Sequence, residues 1–423
     1  MVLATLLQRS TARLWRKTQA LPRPRLAAAD TLSIPAFRSF WAGFALTNLA
    51  NQMRQMIVAW VVLELTDSSL WVGLVNGLPG FASAGFSLAG GLLVDRASPR
   101  AVLVRVRLTM AVAALLMACL VTAGIVQVWH LLLLTFLASG VNGMDIVASQ
   151  VSFRILVRRD RTLNAMALLR MASNLSQIVG PAVGGLWVAW LGAPVALWAL
   201  VVICGLALLA LGRFPRVTVP PRGMQTSVLR DLKEGFRYVE RTQHVRWLII
   251  LGGVLILPAC FYPLLPSHVR DTLHAGPAAL GFLIGSNGAG GLLGSVLLAL
   301  RQDVSRKGLA MTVAALVWSL ALGGLAFSHS IYLSGACLFL IGVLWSVWMN
   351  NMNTLLQTTV AAEMEGRVVS INKILSQGGM AWLVGGTLGA TLGQRETFLL
   401  AGAVWAVLSL VAYWRTPELR HAD

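Results

Sequence analysis

Residues 89–107 read AGGLLVDRASPRAVLVRVR. The residues before them are apolar or small; then one carboxylate, Asp95, stands among Arg96, Arg100, Arg105 and Arg107. Another apolar run follows. A knot of charge between two runs of about 20 apolar residues is the expected turn between two helices that each cross a bilayer. Its four arginines place that turn on the cytoplasmic face.

The composition agrees. Hydrophobic residues make up 57% of the chain and charged residues 12%, about half the usual charged fraction of a soluble domain. Such a chain cannot close around one aqueous core. Apolar runs recur at about 38–64, 70–94, 101–123, 130–154, 163–189, 193–212, 246–266, 278–300, 308–328, 331–355, 367–392 and 397–415. They lack the alternation of barrel strands, so in lipid they must be helices. The expected fold is an all-α membrane protein with twelve transmembrane helices.

The net charge of +18 raises nucleic acid as a partner, but its distribution excludes that reading. Thirty of the 34 Lys and Arg residues fall in alternate loops and the two tails; Arg270 and Arg395 fall on the other side, and Arg54 and Arg170 inside spans. This is the positive-inside bias, with both termini cytoplasmic. The partner is the lipid bilayer. Cys119, Cys204, Cys260 and Cys337 sit in separate spans without metal-ligand spacing, and read as small hydrophobes. No metal site, cofactor or nucleophile–base constellation is expected, hence no enzyme.

The chain divides into an N-terminal tail (1–37), a six-helix bundle (38–212), a central loop (213–245), a second six-helix bundle (246–415) and a C-terminal tail (416–423). LLQRSTARLWRK, residues 6–17, reads either as a surface-lying amphipathic helix or as an unstructured tail. The loop ends in a surface helix, 227–241. The halves echo each other: SQIVGPAVGG (176–185) and SQGGMAWLVGG (376–386) align at an offset of about 200 residues. Two repeated bundles form a common secondary-transporter plan, with the substrate site at their interface.

Three stretches carry a resemblance. GLLVDRASPRAVL, with Gly91, Asp95, Arg96 and Arg100, resembles the cytoplasmic gate motif of the major facilitator superfamily, although Ser98 and Pro99 depart from it. GPAVGG, with Gly180, Pro181, Gly184 and Gly185, resembles the antiporter motif. NTLLQTTVAAEMEGRVVSI resembles the branch that contains enterobactin exporters and macrolide efflux pumps, with Glu365 in place of an arginine. The resemblance implies the major facilitator fold, two pseudo-symmetric bundles in a bacterial cytoplasmic membrane, and a monomer. It also implies efflux of a small organic molecule, siderophore- or drug-like, in exchange for protons by alternating access. An uncoupled facilitator or importer, and a non-transporting receptor-like protein, remain the alternatives. Asp95 would latch onto the amino end of span 11 when the cytoplasmic side closes.

Polar residues at membrane depth need partners or water. Asn48, Gln52, Arg54 and Gln55 in span 1, Asn142 in span 4, and Asn350 and Asn353 beside Trp345 in span 10 suggest stripes lining a substrate cavity. Asp145 and Arg170 lie roughly 13 and 10 Å deep at about 1.5 Å per residue. They are a candidate ion pair, and Asp145 is also a candidate proton carrier. Arg54 has no acid at its depth, which would favour acidic substrates.

Overall fold

The computed structural model describes residues 31–96, 98–158, 161–214, 228–254, 257–300, 307–361, 364, 366–368, 371–372 and 378–415. The described residues are helical with connecting turns and contain no strand. The first half contains α1 (Pro35–Thr66), α2 (Ser69–Arg96), α3 (Pro99–Thr122), α4 (Val128–Leu156) and α5 (Thr162–Leu209). Spans 5 and 6 run together in α5 but break at Gly192, whose φ of 82° suits glycine and few other residues. The linker helix α6 (Val228–Arg241) follows. The second half comprises α7 (Gln243–Val254), α8 (Pro277–Leu300), α9 (Lys307–Ala326), α10 (Ile331–Thr359), α11 (Gly378–Leu392) and α12 (Gln394–Arg415).

Seven of the described helical stretches are long and apolar enough to cross a membrane on length and composition alone, the longest being Thr162–Gly212. The others are diluted for visible reasons. Polar residues interrupt α1, and span 7 is broken rather than continuous. After α7, residues 257–261 form a turn; short helical pieces then follow at Tyr262–Leu264, Leu265–Ser267 and, with π geometry, His268–Thr272. Pro258, Pro263 and Pro266 occupy this stretch, each removing a backbone donor.

Within the first half α1 lies against α5, α2 against α4, and α3 against α4 and α5. Within the second, α8 and α9 flank α10, and α12 covers α9. Trp318 meets Trp345 and Trp405 edge-on at 5.7 and 6.4 Å, and Trp348 lies 5.6 Å from Trp405. Trp345 therefore belongs to an aromatic cluster inside the second bundle. Helix α6 docks on this half through Glu234–Arg367 at 2.8 Å and the approach of Gly235 to Ile371.

Among the described residues the halves meet chiefly through two helix pairs, α2 with α11 and α5 with α8. Both pairs use glycines. A Cβ added at Gly281 would lie 2.5 Å from the Pro181 carbonyl oxygen, and one at Gly185 2.5 Å from that of Pro277. A Cβ at Gly77 would lie 2.7 Å from the Gly379 oxygen. Small residues let helix backbones approach where lipid supplies no hydrophobic drive. These contacts lie toward the end of the molecule opposite the arginine-rich loops.

Candidate functional site

The interface between the halves encloses a cavity of about 220 Å³. Gln52, Gln55, Met56 and Ala59 of α1 and Gln177 and Pro181 of α5 line one side. Tyr262 and Pro266 of the broken span 7, Ile284, Asn287 and Gly288 of α8, and Trp382 of α11 line the other. The Tyr262 hydroxyl donates to Asn287 Oδ1 at 2.9 Å, and its ring stacks on Trp382 with centroids 5.9 Å apart. Asn287 Nδ2 donates in turn to the Leu338 carbonyl at 3.0 Å. Tyr262 is therefore held from two directions at the break in its span.

Among the candidate cavity residues, Gln52 and Gln55 line this space; Asn48, Arg54, Asn142, Trp345, Asn350 and Asn353 do not appear in its wall. Asn48 donates to Phe44 of its own helix. Asn142 accepts from Asn51 at 2.8 Å, so the stripes of spans 1 and 4 meet each other. Arg54 donates to Ser139 at 3.0 Å, while its Nε and Nη1 find no partner among the described residues. Asn350 donates to the Ser346 carbonyl one turn back, and Asn353 is exposed. Gln177, Tyr262, Asn287 and Trp382 were not anticipated. The three prolines around Tyr262 were the signal for the first break. Asn287 sits in a glycine run that reads as packing, and Trp382 stands where the repeat loses its proline.

Gly180 sits against Gln52 and Leu49 of α1, whereas Gly185 faces Pro277 and Gly281 of α8. The GPAVGG run thus fits one half's interior on one face and the opposite half on the other. Gly91, Asp95 and Arg96 belong to the last turns of α2; their side chains, and residues 373–377 before α11, lie outside the described residues. Arg100 donates to the Gly212 carbonyl at 3.3 Å.

Asp145 is not paired with Arg170, which is exposed. Its partner is Arg107, whose Nε lies 3.2 Å from Asp145 Oδ1, with both side chains almost fully buried. Ser149 donates to Asp145 Oδ2 at 3.2 Å, and Arg107 Nη1 to the Ala207 carbonyl at 3.2 Å. Gly43 leaves α1 open where Arg107 enters; a Cβ there would collide with Nη1. Arg107 looked like part of the basic turn, but α3 begins at Pro99, which places Arg107 roughly 12 Å along the helix at about 1.5 Å per residue.

At the end opposite the basic loops, Arg270 joins the halves. Its Nη1 lies 2.6 Å from Asp67 Oδ1 and its Nε 2.7 Å from Asp271 Oδ1. The same Nη1 approaches the Leu63 carbonyl at 3.5 Å, a favourable place for a cation at a helix carboxyl end. The Asp271 hydrogen bond, and after it Asp67, raises the Arg270 pKa above its ordinary value. The carboxylates are exposed, Asp67 at 79%, and exposed pairs contribute at most about 1 kcal/mol. Arg270→Ala is accordingly expected to leave thermal stability nearly unchanged. It should raise thiol labelling of a Gln55→Cys probe from that side by no more than roughly fivefold.

Residues 27–423 match the transmembrane secretion effector family. The chain belongs to this family of the major facilitator superfamily. It is 23% identical to macrolide efflux protein A of Streptococcus pyogenes over 386 residues, covering 89% of this chain and 94% of that protein. It is 26% identical to the enterobactin exporter EntS of Escherichia coli over 394 residues, 92% and 93% of the two chains. Identity to the multidrug efflux pump Tap of Mycolicibacterium fortuitum is 28% over 269 residues, 62% and 64% of the two chains. The nucleoside transporter NupG shares the fold with a TM-score of 0.71 at 11% identity, over 90% of this chain and 99% of that one. The protein is therefore a multi-pass membrane transporter of small molecules, and not an enzyme.

Proposed function

We propose that the chain exports small organic molecules across the bacterial cytoplasmic membrane by alternating access, in exchange for protons. The observation that carries this reading is the position of the cavity: both halves line it, and, among the described residues, the glycine contacts that join α5 to α8 and α2 to α11 lie toward the end opposite the basic loops. With the basic loops in the cytoplasm, together with both termini, that end faces outward and the present arrangement is closed to the outside. A monomer contains the whole site. In the alternate state the basic end closes, and Asp95, Arg96 and Arg100 form the latch at that surface. Asp145 is the proposed proton carrier: protonation would release Arg107 and loosen α3 from α4. The efflux proteins with which this chain aligns over most of its length support the direction of transport.

One observation favours a second reading, an uncoupled facilitator: no carboxylate lines the cavity among the described residues. Flux into inside-out proteoliposomes with and without an imposed proton gradient separates the two. Coupled export requires that collapse of the gradient abolish accumulation of substrate; equilibration that ignores the gradient would contradict it.

A further inference from the structure

The same cavity limits what the transporter accepts. Among the described residues its wall holds no Asp, Glu, His, Lys or Arg. Two charges of α1 stand outside that wall: Arg54 donates one hydrogen bond to Ser139, and Glu64, which accepts from Trp60 at 2.6 Å, borders a separate cavity of about 480 Å³ with Val121, Val188 and Pro277. The polar groups that do line the wall are neutral, and most of them are unspent. The Asn287 side chain is occupied through both its oxygen and its nitrogen, whereas the side chains of Gln52, Gln55 and Gln177 make no hydrogen bond among the described residues. Each glutamine amide offers two N–H donors and a carbonyl acceptor. Trp382 adds an aromatic ring to the wall, and Tyr262, having donated to Asn287, retains acceptor capacity.

Resting on the transport reading above, we infer that the cavity selects uncharged molecules that carry a flat ring and several hydrogen-bonding groups. A neutral solute that gives up water here meets amides of both polarities and one half-buried aromatic pair. A carboxylate or an ammonium ion meets no opposite charge among the described wall residues, and burying an unpaired charge is heavily penalised. The Tyr262–Trp382 pair would attract a cation, but ring quadrupoles replace only part of an ion's lost hydration. The volume of about 220 Å³ lies below the roughly 300–1,000 Å³ typical of drug-sized sites. It holds one ring with its substituents while the remainder of a larger substrate extends beyond it.

The test measures equilibrium binding to the full chain in lipid nanodiscs at pH 7. The probes are radiolabelled chloramphenicol (uncharged, with a nitrophenyl ring, hydroxyls and an amide), ethidium (a cation) and nalidixate (an anion). Chloramphenicol should bind at least tenfold more tightly than either ion. Gln55→Leu should weaken chloramphenicol at least tenfold, and Gln177→Leu provides the same readout on another helix if the first variant fails to fold. Gln55→Glu should reverse the preference by improving ethidium binding at least tenfold. Ion binding as tight as chloramphenicol in the parent protein, no chloramphenicol binding, or no gain for ethidium in Gln55→Glu would overturn the inference. Gradient-driven flux of only ethidium or nalidixate would overturn it and leave export standing. Selective chloramphenicol binding without any flux would keep the inference and remove export.

Discussion

Gly281→Val is expected to reduce transport at least tenfold while the protein still inserts and folds. A Cβ at this position would sit 2.5 Å from the Pro181 carbonyl oxygen and 3.1 Å from the Gly185 Cα, both backbone atoms that no rotamer change can move. The α5–α8 pair must therefore separate. Overpacking of this kind costs about 1–3 kcal/mol, charged almost entirely to the state in which this end is closed. A penalty of that size moves a two-state equilibrium by roughly 5- to 150-fold. The transporter should accumulate with its outer end open, measured as faster labelling of Gln55→Cys by a membrane-impermeant thiol reagent from the outside. Gly323→Val is the control, because nothing lies within 4 Å of a Cβ added there. Unchanged transport in Gly281→Val would mean that α5 and α8 need not meet during the cycle.

The second large effect concerns the ion pair that spans α3 and α4. Asp145→Ala leaves the Arg107 guanidinium buried with the Ala207 carbonyl as its remaining acceptor among the described residues, and removal of one partner from a buried pair costs about 3–5 kcal/mol. The variant should unfold at markedly lower temperature and accumulate poorly in membranes. The double variant Arg107→Met with Asp145→Leu removes both charges and retains bulk, so its stability should return to within about 1 kcal/mol of the parent. Its transport should nevertheless lose dependence on the proton gradient if Asp145 carries the proton. Gradient-dependent export by a stable double variant would assign the pair to structure alone. Thermal unfolding in detergent and flux into proteoliposomes give the two readouts independently.

Much of the architecture could be read from the chain because the bilayer imposes so narrow a choice. The Asp95-to-Arg107 stretch marks a turn between spans, and the helices found there, α2 and α3, begin and end within a few residues of expectation. Gly192 separates the spans fused in α5 as the sequence indicated. Side-chain destinations were less legible. Arg107 and Arg105 stand two residues apart in one basic run, yet opposite faces of α3 send Arg107 inward to Asp145. Which arginine turns inward depends on Gly43 of α1, more than sixty positions away in sequence, and no local pattern encodes that space. The polar stripes of spans 1 and 4 were visible, but whether they faced a cavity or each other depended on helix rotation; Asn51 and Asn142 join, while Gln52 and Gln55 remain open. In span 10 the rotation turns Trp345 into the aromatic cluster with Trp318 and leaves Asn353 exposed. Tyr262 was hidden in a segment read as one continuous span, where its three prolines carried more information than its hydrophobicity. The N-terminal segment 6–17 and the end of the exporter-branch motif lie wholly or partly outside the described residues.

The central claim is that the halves tip about the shared cavity, so that one end closes as the other opens. Paired spin-label distances test it directly in a background lacking Cys119, Cys204, Cys260 and Cys337. One pair, Leu65→Cys with Leu392→Cys, reports the outer end; the other, Leu163→Cys with Leu309→Cys, reports the basic end, and all four positions are exposed. On acidification or addition of a transported solute, the first distance should lengthen as the second shortens. Distances that both stay fixed, or that change in the same direction, would contradict the account.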